Sequence, residues 1–275
     1  MVLSLSLLVF WPAAVRARPS RGPPLPRAVR ALLHRLDQQK SPQKRFAVFD
    51  ADHTLWNRDV GVQFQKWMAR RRYFPRTAQP RLARAWRRYR SGKLSGLSMF
   101  KLAVTGMAGM QEARVRELAA RYWDRGFGSF EGQIFRPMKV LVRELQRRGV
   151  DVYIVSASNP WLVAEGARRL GIDESHVIGM GVEVKGGRLT DRLTRPVPWE
   201  AGKVEAIRAR IGAGRPVLVA GDSTGDLAML GLTRREQGDV SMIVNAHRNP
   251  AVHAAARQNG WARATFDAHD TLGGR

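Results

Sequence analysis

From Pro137 onward, short apolar runs alternate with segments whose apolar residues recur at helical spacing, and this alternation most restricts what the chain can become. "MKVLVRELQRRG" (138–149) reads as a helix stopped by Gly149, and "VDVYIVSAS" (150–158) as a strand. "PWLVAEGARRLG" (160–171) reads as a helix opened by Pro160 with Asn159 as its cap. "WEAGKVEAIRARIG", "TGDLAMLG" and "PAVHAAARQNG" continue the helices, and "RPVLVAGD" and "VSMIVN" continue the strands. Only "GVEVKGGRLT" (181–190) breaks the rhythm: two alternating runs around Gly186 and Gly187 predict a hairpin. Strands separated by helices are joined by crossovers, which gives an α/β fold with a mostly parallel sheet.

Upstream, "RAVRALLHRLDQQ" (27–39) predicts a helix and "RFAVFD" (45–50) a short buried strand. Residues from about 55 to 135 read as helices, in "VGVQFQKWMARRR", "RLARAWRRYR" and "EARVRELAARYW". Gly and Ser clusters at 91–98 and 126–129 punctuate them. The expected organisation is a core of 27–54 and 136–275 with a helical insert at 55–135.

The strand at 45–50 ends in "DADHT", which puts Asp50 and Asp52 one residue apart. Neighbouring carboxylates repel and are costly to desolvate, so no structural reward explains the pair. Ligands of parallel α/β sheets bind outside the carboxyl ends of the strands. Three such ends here carry polar groups: Asp50, Asp52 and Thr54 on the first, Ser156 on the second, and Asp222 with Asp226 after "VLVAG". Lys203 falls in the first turn of the intervening helix. Clustered carboxylates select a hard cation such as Mg²⁺. One carboxylate can attack phosphorus while a second, two residues on, handles the proton. A hydroxyl and an ammonium can hold the oxygens on which charge develops.

In this order and spacing the set resembles the haloacid dehalogenase (HAD) superfamily of phosphatases, with "DADHT", Ser156, Lys203 and "GDSTGD" standing for its four motifs. The insert between the first two motifs, and the hairpin "VEVKGGRLT", are similar to the phosphoserine phosphatase-like branch. "IVNAHRNP" is similar to that branch's late turn, with an insertion before Pro250. The resemblance implies a Rossmann-like parallel sheet core with a helical cap over the site. It implies Asp50 as nucleophile and metal ligand, Asp52 as general acid/base with its backbone carbonyl on the metal, and Asp222 as the side-chain Mg²⁺ ligand. Asp226 would sit behind them, fixing Lys203 or a metal-bound water. Ser156 and Lys203 would bind the phosphoryl group, and Thr54 would steady the loop and complete the substrate-holding set with Asp59. Asp59 has a second reading as a helix N-cap. Trp56 is either an aromatic face for a quaternary ammonium or a core residue of the cap. His53 is expected to pack locally or face solvent.

The expected activity is Mg²⁺-dependent hydrolysis of a small phosphorylated metabolite, phosphoserine-like or phosphocholine-like, through an aspartyl-phosphate. Two alternatives stay open: a phosphotransferase, and a basic protein that binds nucleic acid or an anionic membrane. The net charge of +24, largely arginine, supports the last. No nucleic-acid-binding module is visible, so nucleic acid is not the expected partner. The chain has no cysteine, which excludes disulfides, thiolate metal sites and a cysteine nucleophile. Val2 to Val15 is apolar but too short to span a bilayer comfortably, and a Pro/Arg-rich linker follows. Residues 1–26 read as a signal peptide and linker, leaving periplasm and cytoplasm both open.

Overall fold

The computed structural model describes residues 25–39, 44–125, 130–212 and 214–274. Most of the expected signal and linker segment, and the cluster at 126–129, lie outside them. No described helix is long and apolar enough to cross a membrane.

After helix α1 (Arg27–Gln38), strand β1 (Arg45–Phe49) leads into four helices: α2 (Val60–Arg70), α3 (Gln79–Arg90), α4 (Gly96–Thr105) and α5 (Glu112–Arg125). Then come α6 (Arg136–Gln146), β2 (Val150–Ser156), α7 (Pro160–Arg169), β3 (Val177–Gly179) and the hairpin β4 (Val182–Lys185) and β5 (Arg188–Leu193). The chain closes with α8 (Ala201–Ile211), β6 (Leu218–Gly221), α9 (Leu227–Leu230), β7 (Val240–Val244), α10 (Pro250–Gln258) and β8 (Ala262–Ala264).

Six strands form one sheet in the order β3-β2-β1-β6-β7-β8, and every neighbouring pair is parallel. The α/β, Rossmann-like expectation is met. Alternation along β1 explains how the sheet is covered on both faces. Ala47 and Phe49 pack with Val29 of α1, Leu141 of α6 and Leu162 of α7. Phe46 and Val48 pack with Ile207 of α8, Met229 of α9 and Val252 of α10. The chain leaves β1 for β2 on one side and reaches β6 on the other, so β1 marks the point where strand order reverses. That reversal opens a crevice at its carboxyl end.

The Gly/Ser cluster at 91–98 does not simply interrupt the helices. Helix α4 begins inside it at Gly96, where Ser95 Oγ accepts from Ser98 N at 3.2 Å. The apolar residues that follow, with Met99, Ala103 and Val104 buried, drive the helix past a weak-looking start. The other helical spacings read from sequence correspond to helices, and Asn159 caps α7 by accepting from Leu162 N at 2.9 Å. "TGDLAMLG" gives a short 3₁₀ turn (Thr224–Asp226) before the four residues of α9.

Candidate active site

Asp50 is the first residue past β1, and its backbone N donates to Ala220 O of β6 at 2.8 Å. Its carboxylate is held twice. Thr54 Oγ1 donates to Oδ2 at 3.2 Å, and Lys203 Nζ lies 2.6 Å from Oδ1. Thr54 is fully buried and outside the cavity, so it holds Asp50 from beneath. Lys203 also reaches Asp226 Oδ1 at 2.6 Å, and all three groups are buried. The other oxygen of Asp226 accepts from Asp222 N, Ser223 N and Ser223 Oγ at 3.1, 3.0 and 2.9 Å. Gly221 allows this turn, because a Cβ there would stand 2.6 Å from the Asp226 Cβ.

Asp52 has a separate set of partners. Oδ1 accepts from Trp56 Nε1 and Val60 N, both at 2.8 Å, and Oδ2 accepts from Ser158 Oγ at 2.6 Å. The Val60 bond places the carboxylate at the N-terminus of α2, where the helix dipole favours negative charge. Trp56 is therefore no substrate face. It is completely buried, with its ring edge-on to Trp123 at 5.2 Å. Ser156 is buried at the end of β2 and its Oγ accepts from Ser158 N at 3.0 Å. The Ser156 hydroxyl proton finds no acceptor among the described residues, which leaves it for a ligand.

Asp50, Asp52, Ser156, Lys203 and Asp222 line one cavity of about 320 Å³. Asp59, Ser158, Phe100 of α4, Trp199 and Glu200 are also in its lining. Asp59 both faces this cavity and caps α2, accepting from Val62 N at 2.8 Å. His53 is half-buried, in line with local packing, and is also part of the cavity lining. Its φ is 61°, its Nδ1 is buried without a partner among the described residues, and burial lowers its pKa. Ser158, Phe100, Trp199 and Glu200 were not singled out in the sequence. Only Ser158 had a signal, since it closes the same "SAS" as Ser156.

The electrostatics ask for a cation. Burial pushes the Asp50 carboxyl up to about 7, with Lys203 opposing the shift. Burial, then the negative charge of Asp59, pushes Asp52 up to about 6 against its three hydrogen bonds. Burial, then Asp50, pushes Asp222 up to about 9. Burial works against the Lys203 charge, yet Asp226 and Asp50 hold its pKa above the ordinary lysine value.

Carboxylate oxygens of Asp50, Asp222 and Asp226 lie within 4.8 Å of one another. Those of Asp226 are already engaged by Lys203 and the turn, whereas the Asp222 carboxylate accepts no hydrogen bond from any described residue. Asp50 and Asp222 thus carry the charge a hard divalent ion would neutralise, and oxygen-only donors fit Mg²⁺. Chemically, the arrangement offers a fixed carboxylate nucleophile, a second carboxylate with raised pKa beside it, and a hydroxyl and an ammonium to hold an oxyanion.

Comparison with solved structures agrees on the fold. The chain is similar to a protein of unknown function from Bordetella pertussis Tohama I, at 23% identity and TM-score 0.65, covering 82% of this chain and 99% of that one. It is similar to a functionally unknown protein from Anaerococcus prevotii DSM 20548, at 17% identity and TM-score 0.66, covering 92% and 97%. A phosphoserine phosphatase solved as a phospho-aspartyl intermediate analogue matches at 18% identity and TM-score 0.51, covering 82% and 94%. A search of curated protein sequences gave no match. The family model for haloacid dehalogenase-like hydrolases matches residues 47–231, a span running from within β1 through the Asp226 turn and α9. The chain belongs to the haloacid dehalogenase-like hydrolase family.

Proposed function

We propose that this hydrolase cleaves a small-molecule phosphomonoester through an aspartyl-phosphate on Asp50, with Mg²⁺ as cofactor. One observation carries the reading. Asp50 is fixed by Lys203 and Thr54 at the end of β1, while Asp52, two residues on, is held independently by Ser158, Trp56 and Val60. A nucleophile and a proton carrier must sit together yet keep different environments, and these two do.

In the first step the Asp50 carboxylate attacks phosphorus, the bond from phosphorus to the ester oxygen breaks, and protonated Asp52 gives its proton to the departing oxygen. In the second step ionised Asp52 takes a proton from water as that water attacks the phosphoryl group. Inorganic phosphate leaves, Asp50 is regenerated, and Asp52 is again protonated. Ser156 and Lys203 donate to the phosphoryl oxygens as charge builds on them. Asp50, Asp222 and the Asp52 carbonyl would hold the Mg²⁺, which when bound neutralises charge on the phosphoryl oxygens and on Asp50. Asp226 keeps Lys203 charged and aimed at Asp50.

Residues 55–135 act in this reading as a cap, with Asp59 and Phe100 of α4 in the cavity wall. A phosphoserine-like or phosphocholine-like molecule is of a size the cavity takes, and Asp59, in the cavity lining, is read as a contact for the alcohol portion. The phosphoserine phosphatase among the structural relatives supports the same chemistry. The test is hydrolysis of p-nitrophenyl phosphate with and without Mg²⁺, by the protein and by Asp50→Asn. Mg²⁺-dependent turnover that vanishes in the variant supports the reading. Absence of turnover, or turnover retained in the variant, overturns it.

A further inference from the structure

Five carboxylates line the cavity: Asp50, Asp52, Asp59, Glu200 and Asp222. The chemistry above uses three of them. Asp59 and Glu200 are left over. Glu200 makes no ion pair or side-chain hydrogen bond among the described residues, and its backbone sits at φ 50°, a conformation non-glycine residues seldom adopt. Strain of this kind persists where the surrounding structure enforces it. Glu200 is exposed and lines the cavity as the residue after Trp199.

Two aromatic rings stand with these acids. Phe100, from α4, and Trp199, from the turn before α8, have centroids 5.8 Å apart at an interplanar angle of 47°. The indole is seated against α4 at Gly96, where an added Cβ would lie 3.0 Å from its Cη2. The helical segment and the core thus each supply one ring to the same cavity wall. Among the residues lining the cavity the only lysine or arginine is Lys203, and two carboxylates already hold it.

An anionic group on the alcohol would meet the Glu200 carboxylate, which has no partner among the described residues, and Asp59 beside the α2 N-terminus. A neutral one would leave them uncompensated. A cation would satisfy both, and a methylated ammonium, being weakly hydrated and broad, also matches aromatic faces. We propose that Phe100, Trp199, Glu200 and Asp59 form a subsite for a methylated ammonium group on the alcohol of the phosphomonoester. This rests on the phosphatase reading of the same site. It selects a choline-like alcohol over a serine-like one, whose carboxylate would face Glu200 and Asp59.

The experiment compares kcat/KM for phosphocholine with that for 3,3-dimethylbutyl phosphate, which has the same shape without the charge, and with that for phosphoserine, all with Mg²⁺. Phosphocholine is expected to be preferred over the neutral ester by about 10-fold or more, the scale of a desolvated cation–π contact. Trp199→Leu and Glu200→Gln should each shrink that ratio. Glu200 is exposed, so its variant reads the ratio even if Trp199→Leu folds poorly. Equal turnover of the charged and neutral esters, or a preference for phosphoserine, overturns the subsite. Mg²⁺-dependent hydrolysis of p-nitrophenyl phosphate alongside a ratio of one sinks the subsite alone, while loss of all hydrolysis sinks both readings.

Discussion

Ser158 Oγ stands 2.6 Å from Asp52 Oδ2, a bond across 106 positions of sequence that ties the loop after β2 to the loop after β1. A hydrogen bond donated to a carboxylate favours its ionised form, so Ser158 restrains a carboxyl that burial pushes up to about 6. Ser158→Ala removes the restraint, and the Asp52 pKa rises. The proposed step that needs ionised Asp52, activation of water, would then fail at a higher pH than before. The acid limb of the pH–rate profile should move upward by roughly 1 unit, the scale of a hydrogen bond to a charged group. Steady-state profiles of the two proteins check this. An unmoved acid limb would show that Asp52 is not the base.

Much of this site could be read from the chain because its signals are local. Asp50 and Asp52 share one loop, Asn159 caps the helix it precedes, and Gly186 with Gly187 turns the hairpin. What was hidden depends on approach between distant segments. Phe100 and Trp199 meet only after α4 folds over the turn before α8. Trp56 reads equally well as a ligand face or a core ring, and only the packing of Trp123 against it decides. Strands β3 and β8 have three residues each, too few to show a period, and exist because β2 and β7 offer them edges.

Lys203 is the only positive charge in a buried row of three, with Asp50 and Asp226 each 2.6 Å away. Lys203→Met leaves two buried carboxylates facing each other. Removing one partner of a buried ion pair costs about 3–5 kcal/mol. Adding Asp226→Asn should recover part of that loss without recovering turnover, because the ammonium proposed to bind the phosphoryl group is still missing. Denaturant melts of the single and double variants measure the first effect, and p-nitrophenyl phosphate assays the second. Activity restored in the double variant would remove Lys203 from the chemistry.

Gly61, in the first turn of α2, lies against Ser158: a Cβ there would fall 2.2 Å from Ser158 Oγ and 3.4 Å from Phe100 Cε1. Gly61→Ala must displace the Ser158 hydroxyl from its place against α2. That disturbs the Ser158 bond to Asp52. The stability cost should be moderate, about 1–3 kcal/mol as for other overpacked sites. The rate should fall by more than stability suggests, about 10- to 100-fold in kcat, because a small misplacement of a proton carrier is costly. Thermal melts beside kinetics at saturating substrate separate the two effects, and unchanged kcat would uncouple α2 from proton transfer.

The carboxylates of Asp50 and Asp222, pushed up to about 7 and about 9, link the metal to stability. In the unfolded chain both groups lose their protons near their ordinary value of 3.8. In the metal-free folded protein they keep them to higher pH, so the folded state binds more protons throughout the interval between. Stability must therefore fall as pH rises through that window: it is fully present below the unfolded value and lost through the folded ones. In the proposed site Mg²⁺ would bind the ionised carboxylates and so compete with those protons. The melting temperature of the metal-free protein should drop from pH 5 to pH 9, and the rise on adding Mg²⁺ should grow over the same range. Asp222→Asn removes the group with the larger shift. It should flatten the metal-free slope, raise the melting temperature at pH 8 by roughly 2–4 °C for each kcal/mol relieved, and abolish most of the Mg²⁺ effect. Calorimetry at three pH values with chelator and with Mg²⁺ decides it. A Mg²⁺ effect that persists in Asp222→Asn would move the metal away from Asp222.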